Sequence, residues 1–251
     1  MAEDYIVRTE GLTKEFKGFV AVRDISLNVR RNTIHALIGP NGAGKTTVFN
    51  LLTKFLVPTR GRILYNGRDI TSDNPAHIAR SGMVRSFQIS AVFPHLTVLE
   101  NVRIALQRKL GTSFHFWRPE ASLRVLDERA QSLLDDVGIA AHGWAVAVDL
   151  PYGHKRALEI ATTLALEPEM MLLDEPMAGL AHEDIARISA LIRKVARDRT
   201  VLMVEHNMDV VADVSDRITV MQRGEILAEG PYAEVAADPR VKEAYVGTGH
   251  A

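Results

Sequence analysis

Apolar positions along the chain follow three rhythms, and each predicts a different kind of element. Between Tyr5 and Arg30 they alternate, with Ile25, Leu27 and Val29 on one side and Ser26, Asn28 and Arg30 on the other. This predicts antiparallel strands with one wet face. Thr33-Ile34-His35-Ala36-Leu37-Ile38 reads as a short buried strand, and Met170-Met171-Leu172-Leu173 and Val201-Leu202-Met203-Val204 are short continuous apolar runs, as in strands buried on both faces of a parallel sheet. The third rhythm has steps of three and four. Val98, Leu99, Val102 and Leu106, then Leu123, Leu126, Leu133, Leu134 and Val137, predict helices over residues 96–137, and Ile185, Ile188, Leu191, Ile192 and Val195 put one apolar stripe on residues 182–198.

Turn residues divide these runs. A helix following residue 46 is expected to run to about Leu56 and stop at Pro58, with Gly61 opening a strand that turns back at Asn66-Gly67. Residues 74–80 read as a short helix with Pro75 in its first turn, and a strand over 83–88 follows. Two terminal strands joined through Gln222-Arg223-Gly224-Glu225 and a last helix near 239–245 close the chain. The expected fold is therefore α/β: a mainly parallel sheet, an antiparallel β subdomain, an inserted helical subdomain at about 89–153, and a C-terminal helical extension over 231–251. Residues 111–119 gather Phe114, Phe116 and Trp117 in one loop; these rings either fill the lobe's own small core or anchor a partner helix.

Composition narrows the setting. The 251 residues carry 30 Lys+Arg against 31 Asp+Glu, so no global basic field recruits nucleic acid, and no nucleic-acid partner is expected. No cysteine and no N-terminal apolar signal segment are present, which fits the cytosol. No run approaches the roughly 18 apolar residues that span a bilayer, so any work on a membrane is expected from its side.

The candidate chemistry begins at Gly39-Pro40-Asn41-Gly42-Ala43-Gly44-Lys45-Thr46, which fits G-x-x-x-x-G-K-[ST] between a predicted strand and a predicted helix starting at Thr47. Glycines let successive backbone N–H groups curl around a phosphate chain, Lys45 supplies a charge for the β- and γ-phosphates, and the Thr46 hydroxyl a ligand for Mg²⁺. A nucleotide and Mg²⁺ are therefore expected here, and the family resemblance below makes the nucleotide ATP. Asp174 and Glu175 end a buried strand, where ligands bind in a parallel sheet; Asp174 is suited to hold Mg²⁺, and Glu175 to take a proton from water. His206 ends the next buried strand. Leu150-Pro151-Tyr152-Gly153-His154 precedes a helix expected over 157–166, whose start offers a second phosphate contact.

In this order the motifs resemble the ATP-binding-cassette ATPases over essentially the whole chain, a P-loop NTPase core in a single nucleotide-binding domain, 1–251. The resemblance implies that Phe16 stacks on adenine, that Gln88 reaches Mg²⁺ and the attacking water, and that His206 contacts the γ-phosphate. It also implies that Thr47 belongs to the nucleotide-binding set, and that Tyr152, Gly153 and His154 act in trans on ATP held by a second subunit. Two departures stand out: Pro151, Tyr152 and His154 replace Ser, the first Gly and Gln of the usual Leu-Ser-Gly-Gly-Gln, and Ala181 stands where many relatives carry Asp. Leu-Pro-Tyr-Gly at 150, Phe-Pro-His-Leu-Thr-Val-Leu-Glu-Asn-Val at 93, Met-Ala-Gly-Leu at 177 and Val-Lys-Glu-Ala-Tyr-Val-Gly at 241 resemble the ATPases of branched-chain amino-acid importers.

That likeness implies two integral membrane permease subunits, a second ATPase subunit and a periplasmic or extracellular solute-binding protein. It places the chain peripherally on the cytoplasmic face of the cell membrane, with Val92 and Phe93 where a membrane subunit docks. Relatives handling urea, amides or lipopolysaccharide share much of the pattern. A soluble cassette protein and an ATP-binding regulatory module stand as further alternatives.

Overall fold

The computed structural model describes residues 4–86, 92–108 and 126–246. They group into two compact units, one of Met1–Arg85, Glu169–Pro176 and Ile192–Ala251, the other of Ser86–Pro168 and Met177–Leu191. Elements are numbered in chain order. Gln88, the loop aromatics Phe114, Phe116 and Trp117, and Leu123 lie outside the described residues.

The first unit holds two sheets. In the antiparallel one, β1 (Tyr5–Phe16) is flanked by β2 (Phe19–Ile25) and β5 (Arg60–Tyr65), β5 pairs with β6 (Arg68–Asp69), and β3 (Asn28–Arg30) also pairs with β1. Ile25, Leu27 and Val29 are buried and Ser26 and Arg30 exposed, as the alternation requires. Asn66 and Gly67 take φ of 50° and 75° between β5 and β6, the left-handed pair of a tight hairpin. The second sheet has the order β11-β10-β4-β9-β8-β7, from β4 (Ile34–Ile38), β7 (Met83–Ser86), β8 (Met170–Asp174), β9 (Thr200–Val204), β10 (Arg217–Gln222) and β11 (Glu225–Gly230). The pairs β10–β4, β4–β9 and β9–β8 are parallel. Every residue of β4, β8 and β9 is buried, which is why these strands are mostly apolar, with His35, Asp174 and Thr200 as their polar exceptions.

The helices α1 (Lys45–Leu52) and α5 (Tyr152–Leu164) differ from the sequence expectation at both ends, α1 starting at Lys45 rather than Thr47 and α5 stopping at Leu164 rather than Leu166. The helix α1 ends before Leu56, because Thr53 Oγ1 donates back to the Phe49 carbonyl at 2.7 Å and Lys54 turns to φ 64°. The helix α5 starts five residues before Ala157. Pro151, at φ −53°, is its N-cap, so the proline presets the backbone ahead of the first turn instead of delaying it.

Of the shorter helices, α2 (Pro75–Arg80) is capped by Asn74, whose Oδ1 accepts from the His77 N–H at 2.9 Å. The helix α7 (Met208–Val214), which its short apolar pattern did not announce, starts at Asn207, whose side chain accepts from two N–H groups. Two helices, α8 (Tyr232–Ala237) and α9 (Pro239–Val246), close the described chain.

The second unit is helical. In α3 (Val98–Gln107), Thr97 and Glu100 form a reciprocal capping box. It packs against α4 (Asp127–Asp136) and α5, and Val98, Val102 and Leu106 of α3, Leu133 and Leu134 of α4, and Leu158 and Ala161 of α5 are all buried. Residues of α6 (His182–Ala196) up to Leu191 group with this unit. No described helix is long and apolar enough to cross a membrane.

Candidate nucleotide site

Strand β4 ends at Ile38, and the chain then turns through the glycine-rich loop into α1. Gly44 is the N-cap of that helix at φ 102° and supplies no side-chain cap; a Cβ there would lie 2.6 Å from the Ala21 carbonyl of β2. Only glycine fits so close an approach, and no cap competes for the N–H groups of the first turn. Gly42, at φ 78°, is exposed, and a Cβ built on it meets nothing within 4 Å. The loop thus opens on space that an anion can enter. Lys45 is buried and curls back, Nζ donating to the carbonyls of Gly39 at 2.6 Å and Pro40 at 3.0 Å. Burial lowers its pKa, and the carboxylates of Glu175 and Asp174 oppose that shift. Asn41 and Thr46 are exposed, Pro40 and Thr47 half-buried, and Ala43 buried.

Strand β8 ends in the acid pair. Asp174 is buried, and Oδ2 accepts from Arg85 Nη2. Glu175 adopts φ 46°, a costly conformation for a residue with a side chain and one that gathers at functional sites. Its N–H donates to the Val204 carbonyl at 2.9 Å, while Oε1 lies 2.8 Å from Nε2 of His206. Glu205, buried, fixes the start of that turn: Oε2 accepts from the N–H groups of His206 at 2.9 Å and Asn207 at 3.2 Å. The glycine loop, the acid pair and His206 thus follow the carboxyl ends of β4, β8 and β9, three neighbouring strands.

Phe16 stands at the end of β1, paired with Phe19 across the hairpin, half exposed beneath Lys14 Nζ at 5.1 Å from its ring centroid. The same hairpin passes the loop at Ala21. A cleft of about 550 Å³ lies among residues 40–43, the β10–β11 turn and α9. Burial raises the Tyr245 hydroxyl to about 12, and a hydrogen bond ties it to the Gly39 backbone.

The second unit carries the other predicted contacts. Tyr152 is exposed, and its ring packs on Gly179, where a Cβ would lie 3.4 Å from it. Gly153 is buried at the start of α5, where a Cβ would lie 2.3 to 2.5 Å from the carboxyl atoms of Asp184. Asp184 Oδ1 in turn accepts from Arg187 Nη2 at 2.8 Å. His154 lies against the His142 ring at 4.6 Å between centroids; burial lowers its pKa, helped by Arg187 and His142, so the ring is neutral at pH 7.

Three residues with direct bearing on these groups escape a reading by motif: Arg85, Glu205 and Asp184. Arg85 left one trace, a charge inside the strand Met83-Val84-Arg85-Ser86 that otherwise reads as buried.

Comparison with known proteins places this geometry. Residues 22–178 match the ABC transporter family, and residues 225–251 match the branched-chain amino acid ATP-binding cassette transporter family. The chain is 39% identical over 249 residues to the high-affinity branched-chain amino acid transport ATP-binding protein LivG of Salmonella typhimurium, covering 96% of this chain and 98% of that one. It is also 39% identical, at the same coverage, to BraF of Pseudomonas aeruginosa, which carries the same description. An ATP-binding cassette of an ABC transporter, solved in its ADP conformation, superposes with a TM-score of 0.86 at 32% identity, over 97% of this chain and 99% of that one. The chain therefore belongs to the ATP-binding-cassette family of transporter ATPases, in the group of the branched-chain amino acid transport ATP-binding proteins.

Proposed function

We propose that the protein is the ATP-hydrolysing subunit of an importer, energising uptake of branched-chain or other hydrophobic amino acids. The observation that carries this reading is the convergence on three adjacent strand ends of an open glycine loop with a buried lysine, a buried aspartate, and a glutamate paired with a histidine. The open space at Gly42 and the uncapped start of α1 suit a phosphate chain. A single buried carboxylate plus a hydroxyl suits Mg²⁺, which keeps waters and phosphates among its ligands. Thr46 and Asp174 would hold the ion together with Gln88, and once bound it draws charge from the β- and γ-phosphates.

In this mechanism Lys45 leaves its two carbonyl partners for the phosphates, a charge-assisted contact stronger than the ones it gives up. Phe16 supports the adenine. Glu175 accepts a proton from the attacking water, and His206, already 2.8 Å from Oε1, keeps that carboxylate aimed and meets the γ-phosphate. Tyr152, Gly153 and His154 close on nucleotide held by a second ATPase subunit. The remaining partners are two membrane permease subunits, docked through Val92 and Phe93 on the cytoplasmic face of the membrane, and a solute-binding protein on the far side. A helical subdomain near 89–153 and the extension at 231–251 complete the cassette.

Glu175→Gln in the complex reconstituted with its membrane subunits tests the reading. The amide keeps shape but accepts no proton, so ATP binding persists while turnover falls by about two to four orders of magnitude. Turnover near the wild-type rate would remove Glu175 as the base, and a wild-type complex without ATP turnover would remove the ATPase reading altogether.

A further inference from the structure

Arg85 of β7 is the ion-pair partner of Asp174, and the two side chains are 9% and 5% exposed. The guanidinium is held on three sides. Nη2 donates to Asp174 Oδ2, Nη1 donates to Asn50 Oδ1 at 2.6 Å, and the group lies 5.6 Å from the Phe49 ring centroid. Asn50 and Phe49 both belong to α1, the helix that begins at Lys45. One rigid helix therefore carries the nucleotide lysine at its start and grips Arg85 a turn later.

A buried carboxylate without a partner is costly and free to turn. Arg85 removes that freedom by engaging one oxygen, and its planar fork fixes direction as a lysine ammonium does not. We propose that Arg85 is a positioning residue for the divalent cation: by holding Oδ2 of Asp174 against α1, it presents Oδ1 to Mg²⁺ in a set orientation. This inference rests on the ATPase reading of the same site. It also gives Asn50 a purpose, since the amide locks the fork to the helix that bears the phosphate loop.

The test is binding of a fluorescent ATP analogue to the full chain, in EDTA and across a Mg²⁺ titration, with steady-state turnover alongside. Outer partners of metal ligands are typically worth about 10- to 100-fold in metal affinity. Arg85→Met is expected to raise the Mg²⁺ concentration for half-maximal effect by about 10-fold or more, with affinity in EDTA changed by no more than about twofold. Arg85→Lys recovers part of the loss, because charge returns without the fork. If Arg85→Met does not fold, Asn50→Leu, which frees the fork but keeps the ion pair, carries the test with a smaller shift of the same sign.

An unchanged Mg²⁺ midpoint in the folded variants would overturn the proposal, as would equal losses in EDTA and in Mg²⁺, the mark of a merely structural pair. A wild-type protein whose nucleotide binding and turnover ignore Mg²⁺ would instead overturn the ATPase reading beneath it.

Discussion

His35 is fully buried in the strand that feeds the nucleotide loop, with Nε2 2.8 Å from Thr219 Oγ1. The Thr219 hydroxyl donates to Glu229 Oε2 at 3.0 Å, so it accepts from His35, and the ring carries its proton on Nε2. Arg217 Nε completes the row, donating to Glu229 Oε1 at 2.8 Å. Burial, reinforced by Arg217, pushes the His35 pKa down to about 3. Because the folded value lies below the unfolded one, the unfolded chain binds more protons as pH falls from the ordinary histidine range toward 3, and stability is lost across that window. From this residue alone, denaturant unfolding at pH 5 should show about 2 kcal/mol less stability than at pH 7.5, and His35→Leu should remove that part of the slope. An identical slope in the variant would mean that the ring titrates normally. The sequence placed His35 in a buried strand, but its neutral state depends first on how completely the sheet buries it and then on Arg217, which is distant in the chain and adjacent only in the sheet.

At the scale of elements, α5 explains a glycine. The carboxyl group of Asp184, from the first turn of α6, occupies the space a Cβ on Gly153 would need. An acidic group beside the start of a helix is favourable, so this pair of helices is built around the missing side chain. Gly153→Ala should therefore displace Asp184 and its Arg187 partner, at a cost of about 1 to 3 kcal/mol in stability, as for other overpacked sites. Asp184→Ala in the same chain should return most of that loss, since coupled neighbours are not additive. Thermal or denaturant unfolding of the single and double variants decides the matter; additive losses would show that Gly153 and Asp184 do not crowd one another. The glycine-bearing turn marks Gly153 for a phosphate contact, and the family resemblance puts that contact in trans, but neither points to Asp184, because residues 31 apart in the sequence carry no spacing signal for an approach of this kind.

At the scale of the whole molecule, the docking proposal turns on Phe93. Its ring is 52% exposed, yet its backbone is clamped from both ends by Asn101, whose Oδ1 accepts from the Phe93 N–H at 2.7 Å and whose Nδ2 donates to the Phe93 carbonyl at 3.1 Å. A rigidly held, exposed aromatic is a low-entropy anchor for a partner. Phe93→Asp should abolish co-purification with the membrane subunits, since the carboxylate would be desolvated without a partner. ATP binding to the isolated chain should be unaffected. Wild-type recovery of the membrane subunits with this variant would move the docking surface elsewhere.

Much of this protein was legible in the chain itself, for a physical reason: periodicity and loop chemistry are local. Alternation at 25–30, the buried runs of β4, β8 and β9, the Asn66-Gly67 hairpin and the glycine-rich loop each follow from residues within a few positions of one another. Helix ends were less legible. Pro151 sets the start of α5 by its fixed φ, Lys54 ends α1 by a left-handed turn that its residue type does not signal, and Tyr232 to Ala237 formed a helix too short for a clear period. What only the tertiary structure decided is which charges meet. Asp174 is met by Arg85, Glu175 by His206, and the backbone of His206 by Glu205. The first two pairings join separate strands, and a buried charge takes whichever partner the packed sheet brings within reach.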